Sequence, residues 1–129
     1  MSDSPSLPAI TGIGQIAVNA RDVARATAFY REVVGLRFLF EAPGLAFFDC
    51  GGVRLMISKP SSPQFEHPAS ILYYRVADIQ ASHAALEQAG VTVEGAPHEV
   101  AKLPDHDLWI GFYRDTEDNV FALMSEARR

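Results

Sequence analysis

Apolar and polar positions alternate in a regular way from residue 13 onward. In Ile13-Gly14-Gln15-Ile16-Ala17-Val18-Asn19, Ile16 and Val18 share one face and Gln15, Ala17 and Asn19 the other, the period of two that marks a strand. Asp22 follows as a helix N-cap, because its carboxylate can accept from free N–H groups of the first turn. Val23, Ala26, Tyr30 and Val33 then fall on one helical stripe, and Gly35 is placed to end the helix in a left-handed conformation. Short strands are predicted over Leu36–Glu41, Leu45–Cys50 and Val53–Ser58, the last two joined by Gly51-Gly52 as a two-residue hairpin.

After a Pro- and Ser-containing connector, Ser61 to Pro68, the same grammar restarts. Ile71–Val76 reads as a strand and Asp78 as a second N-cap. Ile79, Ser82, Leu86 and Ala89 form the second stripe, and Gly90 is its stop. Strands over Val91–Glu94, Leu108–Arg114 and Val120–Ser125 complete the pattern, with Asp115-Thr116-Glu117-Asp118-Asn119 turning the last pair. Asp22 recurs as Asp78 and Gly35 as Gly90, a repeat of about 55 positions. Each half reads βαβββ and alone would cover only one side of its sheet, so the two halves must pack together. The expected class is α+β: a tail over 1–10, then one domain over 11–126, with module one at about 11–60 and module two at about 69–126.

Composition narrows the class without changing it. The 129 residues suit one domain, and 48% hydrophobic with 21% charged residues is a globular balance. No stretch approaches the roughly 20 apolar residues of a spanning helix, and the first residues lack the pattern of a secretory signal, so a cytoplasmic, membrane-free protein is expected. A net charge of −5 argues against nucleic acid as a partner, and the single Cys50 against an intrachain disulfide.

Two segments carry a family resemblance. Gln15–Asp22 leading into Ala28-Phe29-Tyr30-Arg31-Glu32-Val33-Val34-Gly35-Leu36, and the hairpin Asp115-Thr116-Glu117-Asp118-Asn119-Val120-Phe121-Ala122-Leu123, resemble the vicinal oxygen chelate superfamily. Its members include glyoxalase I, bleomycin-resistance proteins and extradiol dioxygenases. The resemblance covers about residues 12–125 and implies that the two modules form a half-open barrel with its site on the concave face, often across a homodimer. It implies metal ligands on the first and last strand of each module, at Gln15, Met56, Ile71 and Ala122. One amide and three apolar side chains do not make a divalent cation site, so no cofactor is expected, with a divalent metal as the alternative.

Strand parity sets the rest of the candidate pocket. If Ile16 and Val18 pack on the helix, Gln15, Ala17 and Asn19 face the cavity, joined by Ile71, Tyr73 and Arg75, by Arg54, Met56 and Ser58, and by Val120, Ala122 and Met124. An apolar floor with Gln15, Arg54, Tyr73 and Arg75 as polar points suits a small organic ligand, its anionic group held by an arginine. The competing reading has both arginines at strand ends, paired with surface carboxylates. His106 is the candidate proton carrier, with Trp109 three positions on as a cavity wall and Asp105 or Asp107 to orient the imidazole; the alternative is a structural or exposed loop histidine. His83 reads as a boundary residue of the second helix, His67 as a solvated loop residue, and His98 and His106 as flanking a loop over residues 99–105. Cys50 reads as structural, and Gly12-Ile13-Gly14 precedes a strand and so is no dinucleotide fingerprint.

Three functions fit these residues: a metal-independent protein that binds a small molecule, as bleomycin-resistance proteins do; a metal-independent enzyme using His106, Tyr73 or Arg75 for proton transfer; and a metal-dependent glyoxalase or dioxygenase.

Overall fold

The computed structural model describes residues 11–60 and 70–128. The tail over 1–10 and the whole connector Ser61 to Pro68, with His67, lie outside them. The elements run β1 (Gln15–Asn19), α1 (Val23–Ala28) passing directly into a π-helical turn (Phe29–Val34), β2 (Arg37–Ala42), β3 (Leu45–Cys50), β4 (Val53–Ser58), β5 (Leu72–Arg75), α2 (Ile79–Gln88), β6 (Thr92–Lys102), β7 (His106–Arg114) and β8 (Val120–Arg128). They form two four-stranded sheets of identical topology, β1-β4-β3-β2 and β5-β8-β7-β6. In each, the first strand pairs parallel to the last and the other pairs are antiparallel. The fold is the expected α+β pair of βαβββ modules, with the sheets not closed on each other, as in a half-open barrel.

The caps act as the sequence suggests. Asp22 Oδ1 accepts from Arg25 N at 3.0 Å and Asp78 Oδ1 from Ala81 N at 3.1 Å. The β3–β4 hairpin needs two successive residues with positive φ, and Gly51 (59°) and Gly52 (92°) supply them.

Three expectations are corrected. The first helix is not one regular α-helix. Its second half widens into the π turn, where the N–H groups of Gly35 and Leu36 both reach Tyr30 O, and Phe29 and Tyr30 are thereby both buried. β6 runs to Lys102, so residues 99–102 are strand and only 103–105 turn. Gly95 and Pro97 made it look short, but β6 is an edge strand with three register shifts, and such a strand tolerates proline. β8 continues to Arg128 and brings Glu126 beside β7.

One core serves both modules. Val18, Phe48, Leu55 and Ile57 from sheet one and Tyr74, Tyr113, Phe121 and Leu123 from sheet two form a continuous buried cluster with Phe29, Tyr30, Ile79 and Leu86. All the strand members lie on the faces turned toward the helices, and Phe29 meets Phe121 edge-on with ring centroids 6.1 Å apart. The β7–β8 turn fastens the two halves. The buried Asp115 carboxylate accepts the Tyr30 hydroxyl at 2.6 Å on Oδ2 and the N–H groups of Glu117 and Asn119 at 2.8 and 2.9 Å on Oδ1. Burial and this carboxylate push the Tyr30 phenol far above its ordinary range. Glu117 in turn accepts from Arg21 N (2.8 Å) and Asp22 N (3.2 Å), just ahead of α1. No helix among the described residues is long and apolar enough to cross a membrane.

Tyr30→Phe removes one hydroxyl from this buried knot and leaves part of a carboxylate unsatisfied. A loss of about 1–3 kcal/mol is expected. Urea unfolding with an unchanged far-UV spectrum of the native state checks it.

Candidate functional site

With the helices claiming one face of each sheet, the other faces are open. On sheet one the register sets Gln15, Arg54 and Asp49 side by side across β1, β4 and β3, and Ala17, Met56, Phe47 and Phe40 side by side across β1, β4, β3 and β2. Arg54 Nε donates to Gln15 Oε1 at 2.7 Å, and the Gln15 amide N–H lies 3.7 Å from Met56 Sδ. The guanidinium carbon of Arg54 sits 5.1 Å from the Phe47 ring centroid, and Phe47 lies against Phe40 at 4.6 Å with 33° between the planes. Phe40 is 49% exposed. Gln15, Arg54 and Met56 are thus brought together as expected. Phe47 and Phe40 were missed, although a two-residue hairpin at Gly51-Gly52 places Phe47 opposite Met56.

On sheet two, Tyr73, Ala122 and Phe112 stand side by side across β5, β8 and β7. The Tyr73 and Phe112 rings meet edge-on at 6.0 Å, and Ala122 between them is fully buried. Ala122 was expected to line the pocket floor; the two larger neighbours cover it. Ile71 lies just ahead of β5 and is 46% exposed.

Arg75 extends the same face, and its Nε lies 3.3 Å from Glu126 Oε1. The reading that pairs strand-end arginines with surface carboxylates therefore holds for Arg75. It does not hold for Arg54, whose partners are an amide and an aromatic ring. Glu126 lies one residue beyond the predicted strand end at Ser125, so sequence parity does not reach it.

His106 opens β7 beside this pair. Its Nδ1 lies 2.7 Å from Asp105 Oδ1 and its Nε2 3.3 Å from Glu126 Oε2. Nε2 is buried, and its approach to Glu126 lacks hydrogen-bond geometry. Arg75, Val76, Ala77, Asp105, His106 and Glu126 line an open cavity of about 410 Å³. Asp105 holds the imidazole through Nδ1, so Nε2 is the nitrogen turned toward Glu126.

Trp109 is a correction. It lies one residue out of phase with Ile110 and Phe112, on the helix face of β7, and packs against the core rather than lining the open face. It borders a separate cavity of about 550 Å³ beside the first turn of α2, with Asp78, Ile79 and Ser125. His83 is the expected boundary residue, its Nδ1 2.9 Å from Tyr113 Oη and its Nε2 3.3 Å from Glu87. His98 lies within β6, its Nδ1 3.2 Å from Ala96 O. Among the described residues, no three His, Cys, Asp or Glu side chains converge as a metal site would require. Cys50 is half-buried, and burial raises its thiol pKa, as a structural cysteine requires.

The family model described as Glyoxalase/Bleomycin resistance protein/Dioxygenase superfamily matches residues 12–123. The chain belongs to this superfamily. Solved structures agree in fold. TnmS3, an antibiotic binding protein from Streptomyces sp. CB03234, is 25% identical over 92% of this chain and 98% of its own, with a TM-score of 0.72. A lactoylglutathione lyase from Agrobacterium tumefaciens is 22% identical, with 90% and 94% covered and a TM-score of 0.71. An integron cassette protein from the mobile metagenome of V. Cholerae is 16% identical, with 93% and 98% covered and a TM-score of 0.76. Comparison with curated protein sequences yields no match. Because this superfamily's fold hosts unrelated chemistries, function must be argued from the side chains above.

The Asp105 contact makes a claim of its own about His106. In the neutral imidazole the proton is expected on Nδ1, and Asp105→Ala is expected to move the mixture toward the Nε2–H tautomer. Long-range proton–nitrogen correlation spectra read both states directly.

Proposed function

We propose that this superfamily member binds a small organic molecule on the open faces of its sheets and does so without a metal ion. The donor chemistry of the four positions at which the resemblance implies metal ligands carries the reading. Gln15 Oε1 already accepts from Arg54, Met56 offers a thioether, and Ile71 and Ala122 are alkyl, with Ala122 enclosed by Tyr73 and Phe112. A divalent cation needs about four nitrogen, oxygen or sulfur donors. What the positions do offer is aromatic and apolar surface with a few convergent polar groups, the usual makeup of a small-molecule site. The antibiotic-binding TnmS3, with a quarter of its residues in common, is in keeping with this reading.

A homodimer belongs to the same proposal. The modules share their helix faces, so both open faces point away from the common core, and Phe40, Ile71 and Tyr73 remain between 46% and 49% exposed. A second copy supplies the apolar surface that would cover them. Sedimentation equilibrium is expected to give twice the chain mass; a species of single-chain mass at micromolar concentration removes the dimer.

His106 favours a second reading, proton-transfer catalysis without a metal, because its Nε2 is buried at the wall of a cavity with no hydrogen bond to hold it. One thermal-shift screen of aromatic and anionic compounds, run with and without EDTA, tests the main proposal. Ligands that raise the melting midpoint equally in both conditions, unaltered after incubation, are the expected result. Stabilisation that disappears with EDTA, or a library in which nothing binds, sinks it. Chemical conversion of a bound compound, lost in His106→Gln while binding persists, moves the assignment to the second reading.

A further inference from the structure

We infer that the open face of sheet one selects a planar aromatic anion, an aryl carboxylate in its simplest form, with Arg54 as the counter-charge. The inference rests on the reading of that face as a binding site and adds its ligand chemistry.

Arg54 differs in its surroundings from Arg75 and Arg114 on sheet two. Arg75 faces Glu126, and Arg114 donates through Nε to Glu94, so each guanidinium is already matched by a carboxylate. Among the described residues Arg54 has no such partner. Its cross-strand neighbour Asp49 accepts instead from the Gly52 N–H at 3.3 Å, within the β3–β4 turn. The Nε–H is held by Gln15 Oε1, and the Phe47 ring supports the guanidinium from one side. These two contacts hold the group while its two terminal nitrogens keep their N–H donors for a ligand. A guanidinium presents those donors as a fork that matches the two oxygens of a carboxylate.

The neighbouring surface sets the rest of the ligand. Phe40 lies one strand beyond Phe47, about 4.8 Å away in the sheet. Half of Phe40 is exposed, so a further ring can stack on it in an offset arrangement. Arg54 lies on β4, two strands from Phe40, so the ligand carries its carboxyl group at the β4 edge of an aromatic system wide enough to reach across β3. A ligand cation would meet the guanidinium as a like charge, and a neutral aliphatic molecule would use neither the fork nor the ring.

The probe is 1-naphthoate, titrated by calorimetry into the full chain, with 1-naphthamide and cyclohexanecarboxylate as comparators. Naphthoate is expected to bind roughly tenfold or more tightly than the amide, in line with the strength of a charge-assisted pair. Arg54→Gln is expected to erase that preference and Arg54→Lys to restore it in part, since lysine keeps the charge and loses the fork. Phe40→Ala is expected to erase the preference for naphthoate over cyclohexanecarboxylate. Arg54 and Phe40 are exposed, so melting curves of these variants should stay near the parent's. Amide shift changes on naphthoate addition should centre on Gln15, Phe47 and Arg54. Equal binding of acid and amide, undiminished binding by Arg54→Gln, or shift changes centred on His106 overturns the inference while leaving a small-molecule binder. Failure of all three probes together with the whole screening library overturns both.

Discussion

The two halves of this molecule are held together by a carboxylate with almost no water around it. Asp115 is 7% exposed, and burying a charged carboxylate is costly unless its oxygens are matched. Here Oδ1 takes two backbone N–H groups of its own turn, and Oδ2 takes the Asn119 amide (3.1 Å) and the Tyr30 hydroxyl. Three of these contacts are local and shape the β7–β8 turn; the fourth reaches the other module. The turn can therefore be well formed only where Tyr30 is correctly placed, and Tyr30 is placed by the π turn that buries it beside Phe29. Glu117, two residues on, meets the backbone ahead of α1 only because Asp115 has set the turn. The junction thus joins the first helix to the last hairpin beside the shared core.

Much of that architecture was legible because it is written twice. Asp22 and Asp78, Gly35 and Gly90, and the alternation of Ile16 and Val18 with Gln15 and Ala17 are local signals, and local physics enforces them. The assignment of strand faces held for the same reason: a period of two cannot slip without burying Arg54 and exposing Leu55. What was illegible depended on neighbours remote in sequence. The π turn is a response to packing, since it lets two adjacent aromatic residues enter one core. The length of β6 was hidden by Pro97, whose missing N–H matters little on an edge. Trp109 is expected to line a cavity beside His106, but its parity with Tyr113 turns it toward the core and the separate cavity at α2.

The site was half legible in the same sense. Gln15, Arg54 and Met56 came from one strand pair, and the structure joins them through hydrogen bonds. Their aromatic neighbours sit one and two strands further on, in β3 and β2, where only a fixed register makes them adjacent. The two arginines looked alike on parity. One is spent on Glu126 and the other rests on an amide and a ring, a distinction that side-chain spacing along the chain does not contain.

The bulged edge strands bear on how such a chain behaves when concentrated. β6 carries Pro97 and three register shifts, and β2 is broken by a shift between Phe38 and Phe40. Irregular edges of this kind offer a poor template to a passing strand, which guards against cross-β growth. β1 and β5, the opposite edges, pair through their registers without a shift. Each sheet is thus blunted along one border and regular along the other. Self-association through the backbone is thereby left to the β1 and β5 borders, away from the bulged edges.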